Sequence, residues 1–131
     1  MRRAALWLMA LLPFCACTTL PDAEGIVLGT FGGANAALVA ADSSARVELD
    51  CAHGRTSGPL RLWAGGRFDA AGTIVHEGGP VRSGEPENAR PARFTGHFDG
   101  ETLELRIVFA DGASGPFTLR RNRRPQLYKC L

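Results

Sequence analysis

The feature that most limits the fold of this chain is an apolar and polar alternation of period two. Residues 101–109 place Leu103, Leu105, Ile107 and Phe109 on one face and Thr102, Glu104 and Arg106 on the other. A helix would scatter these side chains around its circumference, whereas a strand points alternate residues to opposite faces. The pattern recurs at 45–51, with Ala45, Val47, Leu49 and Cys51 against Arg46, Glu48 and Asp50. It recurs again at 92–98, where Ala92, Phe94, Gly96 and Phe98 alternate with Arg93, Thr95 and His97. Further strands are expected at 25–31, 36–40, 60–64, 67–75, 116–120 and 126–130. Asp99-Gly100 between two alternating runs predicts a type I′ hairpin turn, and Asp111-Gly112, Gly65-Gly66, Asp42-Ser43-Ser44 and Gly54 with Gly58-Pro59 mark other turns. No window carries a sustained helical stripe, and 16 Gly with 8 Pro in 131 residues interrupt long helices. The expected fold is all-β: a small antiparallel up-and-down barrel of eight or nine strands, with a β-sandwich as the alternative. Closure favours the barrel because it removes exposed sheet edges.

Before the first strand, Arg2 and Arg3 precede 11 largely apolar residues, Ala4 to Phe14, as in a secretory signal. The run is too short for a membrane-spanning helix, which needs roughly 20 apolar residues. Residues 14–17, Phe14-Cys15-Ala16-Cys17, resemble the lipobox of bacterial lipoproteins, which implies cleavage before Cys17 and lipidation of its thiol. Simple secretion after an ordinary cleavage is the alternative. The expected organisation is a signal peptide at 1–16, a lipidated tether at 17–24 and a barrel domain at 25–131. Multiple acyl chains, at about 0.8 kcal/mol per buried CH₂, make such an anchor stable, so the membrane is a partner through the N-terminal lipid. Thr18 in place of Asp after the cysteine resembles lipoproteins sorted to the outer membrane, facing the periplasm of a two-membrane envelope. Losing Arg2 and Arg3 from 15 basic residues leaves as many as the 13 acids, so net charge does not argue for an anionic partner.

With Cys17 lipidated and Cys15 removed, Cys51 and Cys130 remain, and two cysteines in an exported chain are most simply one disulfide. Closing a loop of about 80 residues stabilises a fold by roughly 4 to 5 kcal/mol in the chain-entropy model. The alternation places Cys51 inward on the third strand, from which the bridge would fasten the last strand to the barrel wall. Asp50, Cys51 and His53 crowd together, but neither CxxC nor HxxxH spacing occurs, and no metal or cofactor is expected. Nor is a catalytic site. Gly-x-Ser-x-Gly is absent, no free thiol remains, and His53, His76 and His97 read as turn or solvent-face residues, with His76-Glu77 a polar strand end.

Candidate partner-binding residues fall in two places. The longest irregular stretch, 77–91, and the adjoining strand carry Arg82, Arg90 and Arg93 among Glu85 and Glu87, and loops of that length are commonly functional. The second is Arg120-Arg121-Asn122-Arg123-Arg124, where Arg121, Arg123 and Arg124 could meet phosphate or carboxylate groups of an anionic glycan or lipid. Its competing reading is a solvated hairpin tip turned by Asn122. Nucleic acid is not expected, since no stacking aromatics interleave these arginines.

Several segments bear resemblances. The exported cysteine, Asp50-Cys51-Ala52-His53-Gly54, Gly78-Gly79-Pro80, Arg90-Pro91-Ala92-Arg93-Phe94 and Lys129-Cys130-Leu131 resemble a family of small bacterial lipoproteins of no assigned activity. Ala92-Arg93-Phe94 is similar to the end of the Ser-Gly-x-Gly-Ala-basic-aromatic motif of membrane-bound inhibitors of c-type lysozyme, which implies Arg93 as a lysozyme contact. Gly29-Thr30-Phe31 resembles the Gly-x-Trp start of lipocalins, with Phe for Trp. The functional expectation is a non-catalytic, lipid-anchored binding or structural module of the cell envelope, recognising an envelope protein or anionic glycan. A lysozyme inhibitor and a lipocalin-like small-molecule carrier are the alternatives. Large inward residues, Phe94, Phe98 and Phe109 among them, argue against an open carrier interior.

Overall fold

In a computed structural model, which describes residues 25–78 and 88–130, the alternating segments form β-strands that close on themselves. The elements are β1 (Gly25–Ile26), β2 (Gly29–Gly33), β3 (Ala36–Ala40), β4 (Ala45–Leu49), β5 (Ala52–Thr56), β6 (Arg61–Leu62), β7 (Arg67–His76), β8 (Ala89–Phe98), β9 (Thr102–Phe109) and β10 (Gly112–Arg121). Eight make a closed antiparallel barrel in the order β10-β2-β3-β4-β5-β7-β8-β9, an up-and-down meander. β1 and β6 pair outside it as a two-stranded ribbon. No helix occurs among the described residues.

The inward faces fill the barrel. Phe31, Leu38, Val47, Ile74, Phe94, Leu103, Leu105, Ile107 and Leu119 are all fully buried, and each such side chain contributes about 1.5 to 3 kcal/mol. Gly54 and Gly72 make room for the Phe94 ring. A Cβ on Gly54 would lie 3.2 Å from its Cζ and overlap Ile74 Cδ1, and one on Gly72 would lie 2.7 Å from its Cε2. Gly54 is therefore not a turn residue, as its type suggests, but a strand residue chosen for space.

Several other boundaries differ from expectation. The run at 25–31 divides into β1 and β2, and the run at 60–64 shortens to β6. Ala52–Thr56, unexpected as a strand, is β5. Cys51 lies not inward on a strand but half-exposed in the bend joining β4 to β5. At Asp99-Gly100 only Gly100 has positive φ (104°), so the turn is not type I′. Asp99 instead caps a wider turn, its Oδ1 accepting from Glu101 N at 2.9 Å and Thr102 N at 2.7 Å, and these backbone donors, Thr102 first, hold its carboxyl below the ordinary value. Arg90 and Pro91 belong to β8 rather than to a loop. Pro91 is tolerated because β8 pairs there with β7, and its ladder with β9 begins at Arg93. Gln126 makes one bridge, to Ala34, and 126–130 is a tail instead of a final strand.

That tail links the two ends of the barrel. Asn122 (φ 58°) turns the chain out of β10, so 120–124 is not a hairpin tip between two strands. Asn122 N then donates to Thr30 O at 2.7 Å, Gln126 N to Gly33 O at 3.0 Å, and Tyr128 N to Asp50 Oδ1 at 3.0 Å. The Cys51–Cys130 disulfide closes the path. One end of the barrel thus carries the disulfide, the β4–β5 bend and the segment after β7. The opposite end carries Arg121, the ribbon and the turn at 99–101.

Candidate functional site

Three of the five described arginines singled out in the sequence are already engaged. Arg93 Nε donates to Asp69 Oδ1 at 2.8 Å on the outer wall. Arg90 Nη2 donates to Asp111 Oδ1 at 2.8 Å, and its guanidinium lies 4.8 Å from the centroid of Phe109, on which His76 stacks. Arg121 is a structural plug. Its Nε donates to Gly100 O at 3.2 Å and its Nη1 to Leu28 O at 2.9 Å, while its guanidinium covers Phe31 at 4.9 Å and Phe98 at 5.5 Å. Phe31, the residue carrying the Gly-x-Trp likeness, is thus the aromatic on which Arg121 rests. Arg123 and Arg124 are exposed and, among the described residues, have no carboxylate within 4.0 Å. Cys17 and Arg82 lie outside the described residues.

An arrangement the sequence did not reveal lies on the outer wall of β4, β5 and β7. The ladder puts Arg46 directly opposite Arg55, with Glu48 opposite His53 beside them. Across the next ladder Arg55 faces Thr73 and His53 faces Val75. Arg46, Glu48, His53, Arg55, Thr73 and Glu77 line a groove of about 530 Å³. Arg55 and Thr73 also line an adjoining hollow of about 330 Å³ with Ser43, Ser44 and Ser57. Like charges directly opposite across a ladder are destabilising. Both arginines are exposed, and neither has a carboxylate within 4.0 Å among the described residues.

The groove's carboxylates are committed elsewhere. Lys129 Nζ donates to Glu48 Oε2 and Glu77 Oε2, each at 2.7 Å, and to Leu49 O at 2.9 Å. His53 Nδ1 lies 3.4 Å from Glu77 Oε1. The Lys129 hydrogen bond holds the Glu77 carboxyl below its ordinary value, against partial burial and with help from His53. Burial pulls the Lys129 ammonium down, but Glu48 and Glu77 more than offset it and leave it raised. Two guanidinium groups therefore face solvent beside a row of hydroxyls, a donor-rich surface suited to carboxylate, sulfate or phosphate oxygens.

A symmetric reading of 45–56 about the bend at 50–51 brings Arg46 and Arg55 together. The sequence marks Gly54 as a turn residue, which hides the pairing. No group of three His, Cys, Asp or Glu among the described residues is placed to hold a metal ion. None of the protein-family models, curated proteins or solved structures compared with the chain matches it.

Proposed function

We propose that the chain is a non-catalytic binding module of the bacterial cell envelope, tethered by lipid at Cys17 on the periplasmic face of the outer membrane, which recognises an anionic glycan. The observation that carries this reading is the Arg46–Arg55 pair, held opposite one another without a described counter-charge on a wall otherwise supplied with ion pairs. An anionic ligand would supply the counter-charge this pair lacks. A packed barrel interior supports recognition on the outside over a carrier role. Arg93, the contact a lysozyme inhibitor would need, is bonded to Asp69 in mid-strand, which favours the glycan reading.

Retention on immobilised dextran sulfate and polygalacturonate, compared with neutral dextran, tests it. The wild-type chain is expected to be retained by both polyanions and not by neutral dextran. Arg46→Gln with Arg55→Gln should weaken retention by roughly tenfold or more, since a hydrogen bond to a charged group contributes about 1.5 to 3 kcal/mol. The same double substitution should leave stability unchanged or raised by about 0.5 kcal/mol, because it relieves a like-charge pair. Equal binding by wild type and double variant would overturn the assignment.

A further inference from the structure

We infer that the Arg121 end of the barrel is a docking face for an anionic lipid surface, separate from the wall groove. Four large apolar residues among those described are exposed, and two of them, Leu28 at 51% and Trp63 at 57%, belong to this end. Leu28 is fixed there by the Arg121 bond to its carbonyl. Trp63 tops the tight turn after β6, where Gly66 N donates to Trp63 O at 2.9 Å and Phe98 N to Gly66 O at 2.8 Å. Phe98 packs edge-on against Phe31, 5.5 Å between centroids, beneath the Arg121 guanidinium. Both apolar residues therefore stand on hydrogen-bonded backbone beside packed aromatic rings.

Charge on the same end is biased positive. Arg61, Arg67, Arg123 and Arg124 are exposed and have no carboxylate within 4.0 Å among the described residues. Among the described residues, Arg61, Arg67, Arg121, Arg123 and Arg124 outnumber the acids of the same end, Asp42, Asp99 and Glu101, by five to three. Tryptophan with leucine favours the boundary between headgroups and acyl chains, and arginines around them favour anionic headgroups. The direction of the chain agrees. Gly25 begins β1 at this end, and seven residues lie between it and Cys17, eight steps that reach at most about 29 Å when fully extended. The described chain thus enters the barrel at this end, while the disulfide lies at the opposite one.

Fluorescence depth measurement on the whole chain tests the orientation. The two tryptophans are Trp7 and Trp63, so Trp7→Phe leaves Trp63 as the sole reporter. On vesicles of phosphatidylethanolamine and phosphatidylglycerol with brominated acyl chains, Trp63 emission should shift to the blue and be quenched. In a Trp7→Phe, Trp63→Phe, Tyr128→Trp variant, which reports the disulfide end, emission should be unquenched on the same vesicles. Adding Arg123→Gln and Arg124→Gln to the first variant should lower the vesicle partition coefficient read from quenching by roughly 30-fold, at about 1 kcal/mol per basic residue near an anionic surface. Retention of this Arg123 and Arg124 variant on dextran sulfate should match that of the wild type, which keeps failure of the glycan site distinct from failure of this face. Equal quenching at both ends, no quenching at Trp63, or indifference to the Arg123 and Arg124 changes would each overturn the proposal.

Discussion

The barrel's two ends are finished by different chemistry. At one, Val27 and Leu60 are fully buried beneath the ribbon, Val27 N donates to Leu60 O at 2.9 Å, and Arg121 binds two carbonyls over two aromatic rings. Thr56 completes that seal, its hydroxyl accepting from Ala45 N at 2.7 Å and donating to Gly58 O at 2.6 Å. At the other, a tail is fastened by a disulfide and by Lys129 on two carboxylates. The first closure depends on exclusion of water and is insensitive to redox state. The second depends on oxidation and on three ionised groups, so the surroundings of the chain can loosen it. One molecule thus carries an end fixed by packing and an end conditional on its compartment.

The largest effect should come from the conditional end. Cys51→Ala with Cys130→Ala opens a loop spanning a sequence separation of 79, and should lower unfolding free energy by roughly 4 kcal/mol, read from the urea midpoint with the change in slope taken into account. Chemical reduction of the wild-type chain should reproduce that loss. A fall of under about 1 kcal/mol would show that the tail does not constrain the unfolded chain as loop closure requires.

Arg121→Gln should cost less, about 2 kcal/mol, from two charged hydrogen bonds and a cation stacked on aromatic rings. Combined with the double cysteine variant, its effect should add to within about 0.5 kcal/mol, because the ends share no contacting side chains. Coupling larger than about 1 kcal/mol would break the distinction between the ends and point to the tail as the mechanical link.

Alternation at 45–49, 92–98 and 102–109 predicts an all-β fold, because a period of two leaves a strand one face to bury. Cys51 continued the parity of Leu49 but falls in the bend, since parity carries no information about where a strand stops. Arg121 shares the face of Phe117 and Leu119, a parity that points it inward, yet its place in a run of arginines made it look solvated. Arg46 reads as an ordinary outward residue, and Arg55 falls where the sequence predicts a turn after Gly54. Their opposition is a fact of register, and register here is fixed by a bend without a Gly or Pro signal at 50–51. The capping role of Lys129 was equally hidden, because its partners lie 52 and 81 residues away.

The smallest effect separates the ends by their response to pH. Glu77 is held below its ordinary value of 4.5. Its contribution is therefore complete above that value and is lost as pH falls through the lower folded-state value. Lys129 is raised above 10.5, so its contribution is complete below that value and is lost as pH rises through the higher folded-state one. Both groups are about a third exposed, and screening limits the pair to about 0.5 kcal/mol at neutral pH. Lys129→Met keeps the side-chain stem and removes the charge. The stability difference between wild type and this variant should be flat from about pH 5 to about pH 10 and shrink toward zero outside it. Arg121→Gln should show no such narrowing on the acid side, since the acceptors of Arg121 are backbone carbonyls that do not titrate. An acid-side narrowing as large for Arg121→Gln as for Lys129→Met would mean that protonation loosens both ends together, and that the Glu77–Lys129 contact is not what makes the disulfide end conditional.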